Sequence, residues 1–439
     1  MKYVRYITAL LLLAVHHPAS ALAVSSEVKR EKVNIILIMA DDLGYETIGA
    51  NGGQSYQTPH LDRLAENGAR FEHCYAQPLC TPSRVKIMTG KYNVRNYTSF
   101  GKLPRSETTF AHLLKDAGYT TCIAGKWQLG EEEDSPKHFG FDQALLWQHT
   151  RARTRKGTEH DSRYENPRLE RNGVALDYED GEYGPDVMVD FISEFIEENK
   201  EKPFFVYYPM ILTHCPFVPT PDSADWNPDS LGSKSYKGKE KYFGDMVAYM
   251  DKLVGRIAEK VSEQGLTENT IIIFTGDNGT DKPVVSILNG RKVAGAKGGT
   301  TDGGTRVPLI VHGPGLVKPM VSSDLIDFSD FLPTICEIAG AEVPAVVDGR
   351  SFLPQLRGQE GSPRDFAYCW YSRSGGAKKA RVYARTQQYK LYRNGEFFDV
   401  PNDFLEKEPL SFDSLDSRQL EIKEMLQAAI DKYDGTRNN

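Results

Sequence analysis

Two pairs of oxygen-bearing side chains follow apolar runs that are typical of buried strands. Asp41 and Asp42 come directly after VNIILIMA, and Asp277 and Asn278 come directly after TIIIFTG. Ligands of open α/β sheets bind beyond the carboxyl ends of the strands, so we expect the two pairs to meet there. Three carboxylates and one amide oxygen suit Ca²⁺ or Mg²⁺, whereas Zn²⁺ favours nitrogen and sulfur. Each pair taken alone is also compatible with a simple turn or helix cap.

A cysteine with defined neighbours adds a second kind of chemistry. Cys80 begins the pentapeptide CTPSR, in which Pro82 and Arg84 stand at fixed offsets, and an apolar turn ending in MTG follows. A cysteine close to a proline carries little information by itself. We therefore interpret the pentapeptide and the two acidic pairs together, as candidate parts of one site.

The apolar runs and the stretches between them indicate the elements that must position these residues. Continuous runs rich in β-branched residues predict strands that are buried on both faces of a parallel sheet. These runs span residues 33–40, 203–211, 270–274 and 307–313. Apolar residues at helical spacing predict helices between them, at residues 108–117, 185–198 and 243–257. The alternation predicts an α/β fold with a large doubly wound sheet, mixed and mostly parallel, flanked by helices.

The character of the chain changes after the helix-like stretch LIDFSDFLPTICEIAG, residues 325–340. Short patterns beyond it predict antiparallel strands at residues 366–371, 381–386 and 390–393, and an amphipathic pattern predicts a helix at residues 417–433. We therefore predict two parts, an N-terminal domain over residues 24–344 and a smaller C-terminal subdomain over residues 345–439.

The first 23 residues have the layout of a cleaved export signal. Lys2 and Arg5 precede a short apolar run that ends in an Ala-x-Ala site at Ala21 and Ala23. The apolar core is short for a membrane-spanning helix, and no later run reaches that length. We expect an exported protein, periplasmic or extracellular, with no stable membrane insertion.

Charge and cysteine content narrow the classes of protein further. The net charge is -7 at pH 7, which argues against general binding of nucleic acid or membrane surfaces. An anionic ligand must therefore be recognised by local positive charge. The six cysteines show no metal-type CxxC spacing, so we expect most of them to be buried free thiols.

The CTPSR motif and a series of ordered segments resemble the formylglycine-dependent sulfatases of the alkaline phosphatase superfamily, which include arylsulfatases and bacterial polysaccharide sulfatases. The other matching segments are TPHLDRLAENGARF, GYTTCIAGKWQLG, LTHCPFVPTP, GAKGGTTDGGTRVP, FSDFLPTICEIAG and YKLYRNGEFFDV. The resemblance implies that a maturation enzyme converts Cys80 to formylglycine, whose hydrated aldehyde is the nucleophile.

The resemblance also implies a role for each candidate residue. The four oxygen ligands at positions 41, 42, 277 and 278 are expected to bind a divalent cation beside residue 80, with Ca²⁺ favoured over Mg²⁺. Arg84 is expected to hydrogen-bond the formylglycine hydroxyl. Lys126 and Lys297 are expected to contact the sulfate oxygens, where cationic groups stabilise the transition state. His214 is the candidate general acid, and Lys297 is expected to help it protonate the leaving group.

Two positions depart from the family pattern. The family usually reads GKWHLG, and Gln128 replaces the histidine that helps to remove a proton from the second geminal hydroxyl. A glutamine amide cannot act as a base near neutral pH. We expect Gln128 to contact sulfate, while another group or water takes that proton or turnover is slow. Asp302 stands where glutamate is more usual, and we expect an effect on local packing.

An arginine-rich segment, residues 151–173, has two interpretations. Charged segments without a motif are usually solvated surface loops. Alternatively, Arg151, Arg153 and Arg155 form a subsite wall that pairs with further sulfates or carboxylates of a glycan. Trp147 and His149 precede the segment and are predicted to line the pocket, with Trp147 as a stacking face for a sugar. Export and this segment favour a sulfated carbohydrate over a small aryl sulfate.

Three functions remain open at the level of the sequence. The first is metal-dependent hydrolysis of sulfate monoesters through formylglycine at position 80. The second is hydrolysis of phosphate monoesters, phosphate diesters or phosphonates, because such enzymes share the fold and the metal arrangement; CTPSR and AGKWQLG favour sulfate. The third is a catalytically silent sulfoglycan-binding protein, which only Gln128 suggests.

Overall fold

The computed structural model describes Met1 and residues 32–437. The predicted signal peptide, residues 1–23, therefore lies outside the described residues apart from Met1. Within the described part, no helix has the length and apolar character needed to cross a membrane.

The strands and helices of residues 32–437 are numbered in chain order. The strands are β1 Asn34–Ala40, β2 Ala69–Tyr75, β3 Thr120–Lys126, β4 Gln143–Trp147, β5 Arg168–Arg171, β6 Val174–Asp177, β7 Phe204–Pro209, β8 Thr270–Gly276, β9 Val285–Leu288, β10 Arg291–Ala294, β11 Arg306–His312, β12 Met320–Asp327, β13 Ala367–Tyr371, β14 Arg381–Arg385, β15 Tyr389–Tyr392 and β16 Phe397–Asp399. The α-helices are α1 Pro59–Glu66, α2 Cys80–Thr89, α3 Asn93–Asn96, α4 Phe110–Asp116, α5 Ser135–His138, α6 Gly184–Asn199, α7 Phe243–Glu263, α8 Asp302–Thr305, α9 Phe331–Ala339, α10 Leu353–Leu356 and α11 Ser417–Asp434.

Ten of these strands form one large sheet, in the order β12-β2-β11-β8-β1-β7-β3-β4-β5-β6. The five neighbouring strands β8, β1, β7, β3 and β4 run parallel to one another. β11 is antiparallel to both of its neighbours, and β5 and β6 continue the sheet in antiparallel fashion. The prediction of an α/β fold with a mixed, mostly parallel sheet is confirmed.

Helices cover both faces of the sheet because the central strands are apolar on both. Along β1, Ile35, Leu37 and Met39 belong to one core, which includes side chains of α2, α4 and α9. Ile36 and Ile38 belong to the other core, which includes side chains of α1, α6 and α7. A continuous β-branched run thus lies between two helical layers, as expected for the interior of a parallel sheet.

Two parts of the sequence prediction differ from the structure. The run at residues 307–313 was expected in a parallel arrangement, but β11 is antiparallel to its neighbours. The chain leaves β8 through the β9–β10 hairpin and α8 and makes no crossover helix, so it returns in the opposite direction. The stretch 325–340 is helical only in its second part, because its first three residues complete β12.

The C-terminal part forms a separate four-stranded antiparallel sheet, in the order β13-β14-β15-β16. Helix α11 packs on it through Leu426 and Ile430, which share a core with Val382 and Leu391. The predicted small sheet with one helix is confirmed, and the domain boundary at residue 345 stays a prediction. All six cysteines are buried free thiols.

Candidate active site

The candidate residues lie beyond the carboxyl ends of the parallel strands. Asp41 and Asp42 follow β1, Asp277 and Asn278 follow β8, and Lys126 is the last residue of β3. His214 follows β7, and Trp147 ends β4. Since these five strands run in the same direction, their ends meet at one edge of the sheet, which is where ligands of such sheets bind.

Residue 80 reaches the same edge from helix α2. Cys80 is the first residue of this helix, follows an extended Leu79, and is 2% exposed. The helix is buried along its whole length, and the Lys86 ammonium anchors it by donating to Asp327 Oδ2 at 2.7 Å and to the Tyr368 carbonyl at 2.8 Å. The helix therefore presents its positive end, together with Cys80, to the site.

The structure brings the four predicted oxygen ligands together. The Asp42 amide donates to Asp277 Oδ1 at 3.0 Å, and the Asn278 side-chain amide donates to Asp42 Oδ1 at 2.9 Å. Asp41 and Asp277 can offer ligand atoms within 4.8 Å of each other and of the Cys80 sulfur. In the described structure, Asp41 Oδ1 and Asn278 Oδ1 are buried without a hydrogen-bond partner. A buried oxygen without a hydrogen-bond partner or a bound ligand lowers the stability of the folded protein. The four residues therefore fit a site for a divalent cation.

Three cationic side chains surround this cluster. The Lys126 ammonium lies 2.7 Å from Asp41 Oδ2, and the Lys297 ammonium lies 2.6 Å from Asp42 Oδ2. Arg84 lies 3.4 Å from Asp277 Oδ2 and also donates to the Lys126 carbonyl at 2.6 Å. Alternating positive and negative groups hold one another in place, although they are buried.

Burial dominates the ionisation of the cluster. It raises the pKa of Asp277, and the neighbouring charge of Asp41 raises that pKa further. Burial also acts to raise the pKa of Asp41, but cationic neighbours, Lys126 above all, hold the value below its ordinary range. Burial raises the pKa of the Cys80 thiol, although Lys126 opposes the shift. An unmodified Cys80 is therefore a protonated thiol near neutral pH, which is a poor nucleophile.

His214 is held by a residue that the sequence did not single out. Nη1 of Arg163 lies 2.7 Å from His214 Nδ1, and His214 Nε2 lies 3.7 Å from Asp42 Oδ2. Arg163 is itself buried, pairs with Asp161 at 3.0 Å, and stacks on the Trp147 ring with 4.2 Å to the centroid. Burial, followed by the charge of Lys297, lowers the pKa of His214. Arg163 belongs to the arginine-rich segment of the sequence, and no motif distinguishes it from the other arginines there.

A cavity of about 310 Å³ opens beside Cys80. Its lining includes Gln128, His214, Cys80 and Tyr236. The lining also includes six lysine and arginine side chains: Lys126, Arg153, Arg163, Lys237, Lys297 and Arg373. None of the described residues that line it is acidic. The protein is acidic as a whole, so this concentration of positive charge meets the expectation that an anion is recognised locally.

Gln128 faces residue 80 directly. The Cys80 thiol donates to Gln128 Oε1 at 3.1 Å, and Gln128 has a φ of 51°, which is unusual for a residue other than glycine. The side chain therefore lies where a group bound to residue 80 would meet it. Its predicted contact with sulfate stays a prediction.

The two aromatic candidates lie in the walls of the site. Trp147 lines the cavity, but it is 1% exposed and Arg163 covers one face of its ring. His149 lines a neighbouring cleft, where its Nε2 lies 2.8 Å from the Glu132 carbonyl and its Nδ1 lies 3.5 Å from Glu170 Oε2. Both rings are engaged by the protein itself, and their roles in substrate binding stay predictions.

The arginines of the predicted wall make contacts inside the chain. Arg151 pairs with Asp177, and Arg153 pairs with Asp161 at 3.0 Å. The Arg155 guanidinium donates to backbone carbonyls, including that of Leu231 at 3.0 Å. Most of the charge in this segment therefore serves its own fold.

Comparison with known proteins gives the family. The Sulfatase family model matches residues 33–341, and the model for the C-terminal part of N-sulphoglucosamine sulphohydrolase matches residues 300–433. Human arylsulfatase A is 33% identical in an alignment of 395 positions that covers 82% of this chain and 74% of that protein. Mouse N-acetylgalactosamine-6-sulfatase is 31% identical, over 86% of this chain and 77% of that protein.

A solved structure agrees with these relatives. The crystal structure of Ps i-CgsB is 26% identical, with a TM-score of 0.76, and the match covers 93% of this chain and 94% of that chain. The same protein has also been solved in complex with k-i-k-neocarrahexaose. Sequence, fold and site agree: the chain belongs to the sulfatase family and is a sulfuric ester hydrolase.

Proposed function

We propose that this chain hydrolyses sulfate monoesters of a sulfated carbohydrate, with formylglycine formed from Cys80 as the nucleophile. One observation carries the proposal: residue 80, a cluster of cation ligands and a cationic cavity meet at one edge of the sheet. The ligands proposed for the cation, Ca²⁺ or Mg²⁺, are Asp41, Asp42, Asp277 and Asn278. Their two unpartnered buried oxygens support this assignment.

Each residue then has a task that its position supports. A formylglycine at position 80 supplies a hydrated aldehyde oxygen for attack on sulfur, and a bound cation supplies positive charge beside the sulfate oxygens. Lys126 and Lys297 add two ammonium groups in the cavity wall, where charge develops in the transition state. Arg84, at the base of the site, orients Asp277 and the end of β3.

The departing alcohol needs a proton. His214 lines the cavity, and its Nδ1 faces the Arg163 guanidinium, which leaves Nε2 to carry the proton that His214 is proposed to donate to the leaving oxygen. Burial acts to lower the pKa of Lys297, but the acidic groups around it, Asp42 first among them, together hold the value well above its ordinary range. Lys297 therefore remains protonated and is proposed to assist His214 in this step.

The carbohydrate part of the proposal rests on the relatives and on the shape of the site. Ps i-CgsB binds k-i-k-neocarrahexaose, and its fold extends over 93% of this chain. The catalytic cavity adjoins a cleft of about 780 Å³, which offers room for sugars beyond the one attacked. Export, which the first 23 residues predict, would place the protein where such polymers occur.

The test begins with mass analysis of the peptide that contains residue 80, since conversion of cysteine to formylglycine changes its mass. Release of inorganic sulfate is then measured on defined sulfated saccharides and on matched pairs of sulfate and phosphate esters. We expect sulfate release from saccharides by the modified protein and none by a Cys80→Ala variant. Preferential cleavage of phosphate esters, or saccharide binding without sulfate release by fully modified protein, would overturn the proposal.

A further inference from the structure

The catalytic cavity continues into the neighbouring cleft. Phe100, Gln128 and Gln148 line both spaces, so a ligand that extends from one to the other must pass these three side chains. Arg373 lines the cavity and Lys102 lines the cleft. A basic residue therefore stands on each side of the junction at Phe100.

Arg373 belongs to the C-terminal part and is held in position. The Tyr97 hydroxyl donates to the Arg373 carbonyl at 3.0 Å, and the guanidinium lies over the Phe100 ring, 5.3 Å from its centroid. A Cβ at Gly375, whose φ is +78°, would lie 1.7 Å from the carbonyl oxygen of Thr98, so the two loops are in close contact. The chain thus brings an arginine to the junction from a position 273 residues away from Phe100.

Arg373 and Lys102 differ from the arginines of the arginine-rich segment because they have no carboxylate partner among the described residues. Within the part of the chain that the structure describes, neither Arg373 nor Lys102 has a carboxylate within ion-pair distance, and both side chains are exposed. Arg151 and Arg153 line the same spaces but pair with Asp177 and Asp161, which they share with Arg168 and Arg163. Among the described lysines and arginines that line the two spaces, those without a carboxylate partner therefore lie beside Phe100.

We infer that Arg373 and Lys102 form a second anion subsite, which binds an acid group on the sugar adjoining the one that is desulfated. This inference rests on the proposed function and specifies its substrate as a glycan with acid groups on neighbouring sugars. The acid group is an oxyanion, either sulfate or carboxylate, since a guanidinium binds both through two parallel hydrogen bonds. Phe100 supplies an apolar surface between the two sites.

Two acidic residues also line the cleft. Glu131 and Glu132 line it, both are exposed, and neither has an ion-pair partner among the described residues. Carboxylates repel a further acid group but accept hydrogen bonds from sugar hydroxyls. The proposed subsite is therefore limited to the two cations beside Phe100.

The test compares disaccharides that share the reactive sulfate. One carries no other acid group, one carries a second sulfate on the neighbouring sugar, and one carries a carboxylate there. Dissociation constants are measured by calorimetry with the Cys80→Ala variant, which leaves the sugars intact, and kcat/KM is measured with the modified protein. The variants are Arg373→Gln, Lys102→Gln and the control Lys379→Gln, which removes an exposed charge outside the two cavity linings.

We expect a second acid group to tighten binding by about tenfold, an advantage that falls as salt rises. Arg373→Gln and Lys102→Gln should each reduce the advantage, and Lys379→Gln should retain it. The proposed subsite is wrong if the second acid group tightens binding equally in the parent and in both variants, or does not tighten it at all. These binding results are independent of turnover, so a lack of sulfate release would count against the proposed function alone. The two dianionic sugars distinguish sulfate from carboxylate as the preferred group.

Discussion

At the scale of single residues, the proposed function makes Gln128 the residue that limits how residue 80 is reset after each turnover. Its amide lies 3.1 Å from the sulfur of residue 80, so it can hold a hydroxyl group there, but it cannot accept a proton near neutral pH. An imidazole in this place can. We predict that Gln128→His raises kcat for sulfate release by about tenfold or more, within the range of general base catalysis.

The measurement uses saturating substrate and protein that is fully modified at residue 80. Gln128→Asn is the matched control, because it keeps the amide and should not gain rate. A histidine variant no faster than the parent would show that proton removal at this position does not limit turnover.

At the scale of elements, the C-terminal sheet holds the loop that carries Lys297. Asp302, at the start of α8, pairs with Arg385 of β14, and both side chains are buried. The Lys390 ammonium of β15 donates to the Thr300 carbonyl and to Glu406, at 2.8 Å for the latter. Asp302 was expected to affect only packing, and the structure places it in a buried ion pair between the two sheets.

We predict that Asp302→Asn lowers the free energy of unfolding by about 3 kcal/mol, because it leaves the Arg385 charge buried and uncompensated. Urea unfolding measures the change. Asp222→Asn is the control, since Asp222 pairs with Lys252 at the surface and should cost less than about 1 kcal/mol. Similar losses in both variants would contradict a special role for the buried pair.

The arginine-rich segment contains a carboxyl group that is sensitive to pH. Burial raises the pKa of Glu165 from 4.5 to about 7, and the charge of Asp161 acts in the same direction. Between these two pH values the folded state holds the proton more tightly than the unfolded state, so the contribution of Glu165 to stability decreases as pH rises. Above pH 7 the folded protein contains an ionised, buried carboxylate at full cost.

We therefore predict that Glu165→Gln stabilises the protein relative to the parent at pH 8 but little at pH 4.5. A shift of about 2.5 units corresponds to at most about 3 kcal/mol between these conditions. Urea unfolding of both proteins at the two pH values measures the difference in their free energies of unfolding. Other titrating groups contribute equally to both proteins, so their effects cancel in this difference. A difference that does not change with pH would contradict the assignment.

At the scale of the whole molecule, the proposed divalent cation would join the ends of two neighbouring strands of the large sheet, β1 and β8. Asp41 and Asp42 end the central strand β1, Asp277 ends its neighbour β8, and all three carboxylates are fully buried. Lys126, Lys297 and Arg84 offset part of their mutual repulsion, and a bound cation would offset more of it. We predict that removal of divalent cations by a chelator lowers Tm by about 5 °C, and that Ca²⁺ or Mg²⁺ restores it.

Differential scanning calorimetry measures this shift without any need for activity. Asp277→Asn should reduce the response to the cation, whereas Asp180→Asn, an exposed carboxylate, should leave it unchanged. A Tm that does not depend on chelator would contradict a resident cation in the cluster.

Much of this molecule was predictable from the chain. Apolar runs encode buried strands, and the acidic pairs after β1 and β8 lie together because parallel strands end at the same edge. The direction of β11 was not predictable, since a hydrophobic run does not show whether its neighbours are parallel. The ion-pair partners of Arg151 and Arg153 were also not predictable, because the carboxylates that pair with them come from other parts of the folded chain.

The sequence by itself determined the chemistry: residue 80, the oxygen ligands, the lysines and the family to which they belong. These features are local, since each depends on residue types within a short motif or at the end of one strand. Only the tertiary structure decided which cations line the cavity beside residue 80. Arg163 meets His214 across 51 residues, and Arg373 meets Phe100 across 273. Such contacts depend on how distant loops pack together, and no local pattern encodes them.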